Sequence, residues 1–110
     1  MPLQFRTGII NGDLHTRSAT GLFDILHMGQ LELRGTDVAT IFETLVPGDI
    51  CGLGNCATRY TQLTNCRARI MDDLMATMYG DSLFLVVNAA NTERDIAHIK
   101  TMISNCVELI

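Results

Sequence analysis

Two adjacent aspartates, Asp72 and Asp73, interrupt an otherwise apolar stretch between Ile70-Met71 and Leu74-Met75. Aspartate is disfavoured in β-strands, so a pair in this setting calls for a reason. Successive strand residues point to opposite faces, which turns one carboxylate inward and leaves the other in water. A carboxylate held against Ile70 and Leu74 is partly desolvated. Desolvation raises its pKa and suits it to proton exchange. The plainer reading is a strand beginning next to a turn, with both carboxylates solvated. The pattern alone does not choose which aspartate turns inward.

Other groups of chemical interest cluster near this pair. Arg59, Arg67 and Arg69 lie on or beside the same expected hairpin. They either neutralise an aspartate, which lowers its pKa, or face an anionic ligand, or simply sit in solvent. Asn88 and Asn91 flank Ala89-Ala90 where a strand feeds a helix, a common place for a ligand. Helix capping by Asn91 or Thr92 explains the same residues more cheaply. Tyr60 offers a ring for stacking or for cross-strand packing. His15, His27 and His98 show no paired metal spacing. His27 follows an apolar stretch and reads as a core histidine, and His98 as a helix-surface one. The glycines at 48, 52 and 54 lack a phosphate-loop lysine and do not open a helix directly.

These residues need elements to hold them. Ile10 to Thr20 forms a short helix with Ile10 and Leu14 on one face. Gln30 to Arg34 alternates apolar and polar as a half-buried strand. Thr36 caps a helix whose residues Val38, Ile41, Phe42 and Leu45 share one face, and Pro47-Gly48 ends it. Ala57 to Thr64 and Ile70 to Tyr79 are strands joined as a hairpin through Asn65 to Arg69. Gly80-Asp81 turns the chain into Ser82 to Asn88, a continuous apolar run expected to be buried on both faces. Thr92 and Asp95 approximate a capping box opening a last helix, with Ile96, Ile99 and Ile103 on its buried stripe. Val107 to Ile110 begins one more strand. The fold class is α+β, an antiparallel sheet covered by helices and partly ferredoxin-like.

Composition fits one globular domain: 110 residues, 47% hydrophobic and 18% charged, with no Trp. A net charge of -4 lacks the footprint of a nucleic-acid binder. No apolar run approaches membrane-spanning length, since Leu83 to Val87 is a short one. The start carries no signal-peptide core, so an intracellular protein is expected. Cys51, Cys56, Cys66 and Cys106 form no Cys-x-x-Cys pair. They read as reduced, some of them small buried hydrophobes.

Several stretches together resemble the glycine-cleavage T-protein family. They are Met1-Pro2-Leu3-Gln4-Phe5, Gly21-Leu22-Phe23-Asp24, His27-Met28-Gly29-Gln30 and Leu33-Arg34-Gly35. They continue as Tyr60-Thr61-Gln62-Leu63, Asp72-Asp73-Leu74 and Val86-Val87-Asn88-Ala89-Ala90-Asn91-Thr92 with Asp95. The resemblance runs over residues 1 to 103 with essentially no gaps. It implies a fragment of the folate-binding T-protein fold: one truncated domain over 1–110, with a lead-in at 1–35 and a ferredoxin-like portion at 36–110.

The resemblance also implies an aminomethyltransferase of one-carbon metabolism. Such an enzyme takes an aminomethyl group from a lipoylated H-protein and passes a methylene unit to tetrahydrofolate, releasing ammonia. Tetrahydrofolate is then a substrate, no metal is implied, and nucleic acid and membrane are not partners. The compartment is cytoplasmic, or the mitochondrial matrix in a eukaryote. Asp72 takes the catalytic role, holding and activating the folate nitrogens. Met28, Tyr60 and Asn88 join it in binding folate. Family members are several-fold longer and carry further folate contacts beyond residue 110, so the alternative is a non-catalytic remnant that binds folate or self-associates as a homodimer. Where the family has Gly-Gly before the aspartates, this chain has Ala68-Arg69, which implies a different turn or a strained one.

Overall fold

The sheet forms where apolar residues alternate with polar ones, as in β-strand segments Gly29–Gly35 and Ile70–Tyr79. The computed structural model describes residues 7–23, 26–103 and 107–110. The Met1 to Phe5 stretch, Asp24 and Cys106 lie outside the described residues. In chain order the elements are α1 (Ile9–Ser18), β1 (Gly29–Gly35), α2 (Val38–Glu43), β2 (Thr58–Thr64), β3 (Ile70–Tyr79), β4 (Ser82–Val87), a short 3₁₀ turn (Ala89–Asn91), α3 (Thr92–Met102) and β5 (Val107–Leu109). The sheet has the order β2-β3-β4-β1-β5, and every pairing in it is antiparallel. Strands β3-β4-β1-β5, with α2 and α3 in the connections, reproduce the ferredoxin-like arrangement, and β2 adds an edge.

One face of the sheet is dry. Leu31 and Leu33 of β1, Leu63 of β2, Leu74 and Ala76 of β3, and Leu83, Leu85 and Val87 of β4 are buried there. Val38 and Phe42 of α2 and Ile99 of α3 belong to the same cluster. Each buried Leu or Phe contributes roughly 1.5–3 kcal/mol by leaving water. Among the described residues, no helix buries side chains against the other face. Strand β4 therefore alternates buried and half-buried residues, and is not buried on both faces as its composition suggested. An apolar run reports that a strand is central, not how many layers cover it.

Three local expectations also change. The helix α2 starts after Asp37, not Thr36. Asp37 has φ 60° and no side-chain cap bond, and the helix tightens into turns at Thr44 and Leu45 rather than running on to Pro47. Helix α1 ends at Ser18 and buries none of its residues. Its side chains make local bonds, such as Thr16 Oγ1 donating to the Gly12 carbonyl and the Arg17–Asp13 pair. The three described cysteines, Cys51, Cys56 and Cys66, are exposed thiols rather than buried hydrophobes.

Candidate functional site

The site lies where the N-terminal end of β3, the C-terminal end of β4 and the start of α3 meet. Alternation along β3 resolves the two aspartates. Asp72 shares the covered face with Leu74 and Ala76 and keeps 8% of its surface exposed. Asp73 lies on the open face, half-buried, opposite Gln62 of β2.

Asn88 ties the two together from the end of β4. Its amide Nδ2 donates to Asp72 Oδ1 at 2.9 Å, to the Asp73 carbonyl at 3.2 Å and to Asp73 Oδ1 at 3.1 Å. Burial by itself would raise the Asp72 pKa. The Asn88 amide, and then the Asp95 carboxyl, the Asp73 backbone N–H and the Asn91 side chain beside it, outweigh burial and hold it below its ordinary value. Desolvation was expected to leave the inward aspartate with a raised pKa. Its polar neighbours reverse the direction.

The raised acid is Asp95. Its side chain is fully buried in the first turn of α3. Burial, then the Asp72 carboxyl beside it, pushes its pKa up to about 7, against a smaller opposing pull from Arg94. Neither Asp95 oxygen, nor Asp72 Oδ2, has a hydrogen-bond donor among the described residues. Arg94 Nε stands 3.9 Å from Asp95 Oδ1, and another Arg94 nitrogen, Nη2, donates to the Met71 carbonyl. Asp95 had been read as part of a capping box with Thr92, and that reading fails. Asn91 precedes the helix, with no side-chain cap bond. Thr92 Oγ1 instead donates back to the Asn88 carbonyl at 3.1 Å.

Gly29 makes this arrangement possible. A Cβ at residue 29 would collide with Thr92 Oγ1 and stand 2.7 Å from both Thr92 Cγ2 and Val87 Cγ2. The bare backbone lets α3 begin against β1, which carries Asp95 over the covered face. Because Gly29 pairs with Val87, the preceding Met28 and the following Asn88 lie at the same end of the sheet. Met28 is half-buried.

Tyr60 lies elsewhere. It pairs with Met75, is 62% exposed and occupies the open face. Its hydroxyl donates to Asp73, and that bond is the first cause of its raised pKa. Asp72 and Asn88 are therefore bonded directly and Met28 lies at their end of the sheet, while the Tyr60 hydroxyl bonds to Asp73.

The arginine beside the acids is Arg94 of α3. Among the described residues, no ion pair joins Arg59, Arg67 or Arg69 to Asp72 or Asp73. His27 is exposed, not buried in the core, and His98 Nε2 lies 3.1 Å from the Thr64 carbonyl. No metal-ligating cluster of three His, Cys, Asp or Glu occurs among the described residues. Among them, too, no helix is long and apolar enough to cross a membrane.

The β2–β3 turn brings the aspartates to their positions. Asn65 Oδ1 accepts the backbone N–H of Arg67 at 2.9 Å and of Arg69 at 3.2 Å. Ala68 has φ 56°, the left-handed conformation that costs a residue with a Cβ about 1–2 kcal/mol. The turn is the strained alternative, and a register shift between Leu63 and Thr64 precedes it.

A family profile described as GCVT N-terminal domain matches residues 1–110. The mitochondrial aminomethyltransferase of Dictyostelium discoideum is 42% identical over 103 residues, covering 94% of this chain and 26% of that protein. The aminomethyltransferase of Desulfitobacterium hafniense is 37% identical over 98 residues, covering 88% of this chain and 27% of its own length. The crystal structure of the glycine cleavage system aminomethyltransferase T from Bartonella henselae superposes with a TM-score of 0.92 at 34% identity, covering all of this chain and 31% of that one. The chain thus spans about a quarter of the length of the curated relatives it matches.

Proposed function

Because the chain belongs to the GCVT N-terminal domain family, we propose that it forms the Asp72-bearing wall of a tetrahydrofolate site used in aminomethyl transfer. The donor is an aminomethyl group carried on the lipoyl arm of an H-protein. The methylene carbon forms bonds to two folate nitrogens, its bonds to the amine and to the lipoyl sulfur break, and the two folate N–H protons leave with ammonia and the freed thiol. The observation that carries this reading is Asp72 itself: a buried carboxylate with a lowered pKa, held by Asn88 near the start of β3. One of its oxygens, Oδ2, has no donor among the described residues. A folate N–H is such a donor, and a carboxylate that accepts it draws off positive charge as the nitrogen attacks.

Asn88 holds Asp72 in place, and Met28 supplies an apolar contact at the same sheet end. Tyr60 acts on the site through Asp73 and Asn88. The compartment follows the donor system, cytoplasmic in a bacterium and the mitochondrial matrix in a eukaryote. The test is equilibrium binding of tetrahydrofolate to the chain and to Asp72→Asn. Removing one charge-assisted bond weakens binding about tenfold to a hundredfold. Equal affinities for the two proteins contradict the reading.

A second reading, self-association, is favoured by a different observation. Leu22 and Phe23 are 100% and 66% exposed, and Ile9 and Ile10 of α1 are 75% and 76% exposed. Apolar surface of this kind promotes association. Light scattering across a concentration series that reports only monomer counts against a homodimer.

A further inference from the structure

We propose that Asp95 is a positioning residue: its protonated carboxyl donates a hydrogen bond to Asp72 and fixes the Asp72 carboxylate in the orientation that meets a folate N–H. The role rests on the folate reading above. Asp95 is fully buried, and neither of its oxygens has a donor among the described residues. A buried carboxylate without donors is costly, whereas a buried carboxylic acid facing a carboxylate is satisfied by the proton it carries.

The proton belongs to Asp95 because Asp72 already accepts the Asn88 amide. The charged groups that act on Asp95 are Asp72 from β3 and Arg94 from its own helix. Arg94 is half-exposed and its Nε stands at 3.9 Å, too far and too wet to replace a proton. When the acid ionises, two like charges face each other in a buried space and Asp72 loses a donor. The geometry exists only because Gly29 admits the start of α3 against the sheet.

The test combines tetrahydrofolate binding with carboxyl-carbon NMR on the chain, Asp95→Asn and Asp95→Leu, below and above neutral pH. The parent is expected to lose about tenfold in affinity as pH rises through neutrality, the effect of one hydrogen bond to a charged group. Asp95→Asn keeps a donor at every pH, so its binding stays at the parent's low-pH value throughout. Asp95→Leu, checked for folding by its amide spectrum, binds about tenfold more weakly even at low pH. Binding by Asp95→Asn that falls with pH as the parent's does overturns the proposal, as does parent-like binding by Asp95→Leu. The carboxyl spectrum decides the pair without any ligand: one aspartate resonance titrates near neutrality in the parent and vanishes in Asp95→Asn. If the parent binds no folate at any pH, the folate reading fails and this role fails with it, while the resonance still decides whether the pair shares a proton. An Asp95 carboxyl that titrates in the ordinary range overturns the pair itself.

Discussion

Replacing Asp95 by Asn changes how stability depends on pH, with a sign that the two acids fix. An unperturbed Asp titrates at 3.8, and Asp95 in the folded chain at about 7. Between those values the folded chain holds a proton that the unfolded chain has released. The stabilisation from Asp95 is therefore complete below about pH 4 and is lost as pH rises to about 7. Asp72 has a lowered pKa, so its contribution is present above about pH 4 and is lost at lower pH. Together the pair stabilises the fold most near about pH 4, where it carries one proton.

The separation of the Asp95 values sets a ceiling of roughly 4 kcal/mol at about 1.4 kcal/mol per pKa unit. Rearrangement of the half-exposed Arg94 reduces that. Asn has the volume of Asp, has no proton to release and offers an amide donor to Asp72. The stability of Asp95→Asn relative to the parent is thus expected to be small near about pH 4 and to grow by about 1–4 kcal/mol by about pH 8. Urea unfolding followed by circular dichroism, at constant ionic strength across that range, measures it. A difference that stays constant within about 0.5 kcal/mol refutes a raised Asp95 and the proton shared with Asp72.

Three further substitutions probe the supports of the site. Ala68→Gly relieves the left-handed turn and is expected to stabilise by about 0.5–1 kcal/mol after the gain in unfolded-state entropy, read from the urea midpoint. Gly29→Ala drives a methyl into Thr92 and Val87, and costs about 1–3 kcal/mol in the same assay. Its amide spectrum is expected to change most at the start of α3. Asn88→Ala removes the donor to Asp72 and Asp73, costs about 1–3 kcal/mol, and raises the Asp72 pKa in a carboxyl-carbon NMR titration.

Much of the sheet was legible because hydrophobic period and turn residues agree along it. The hairpin from Thr58 to Tyr79, the Gly80-Asp81 turn and the α3 stripe all rest on local signals. The second edge of β1 was less legible, because its pairing with β5 joins segments far apart in sequence. The aspartate pair was legible as a pair, and strand alternation gave it one inward and one outward member. The pattern alone left open which of the two turns inward; the family resemblance singled out Asp72, and the structure puts it on the covered face. Its pKa direction required knowing that Asn88, Asn91 and Asp95 converge on it. Asp95 was missed because its place three residues after Thr92 is explained by a capping box. The signal that could have found it is spacing: Asp95 and Ile99 stand at i and i+4, one helical turn apart, so Asp95 lies on the buried stripe.

The central claim is that tetrahydrofolate meets the chain at Asp72. Titrating labelled chain with tetrahydrofolate and following backbone amides by NMR tests it most directly. The account predicts that the largest shifts fall at Met28, Asp72, Asp73 and Asn88, and that Asp72→Asn needs about tenfold to a hundredfold more ligand to reach them. Shifts confined to α1 or to the loop around Cys51, with those four amides unmoved, contradict it.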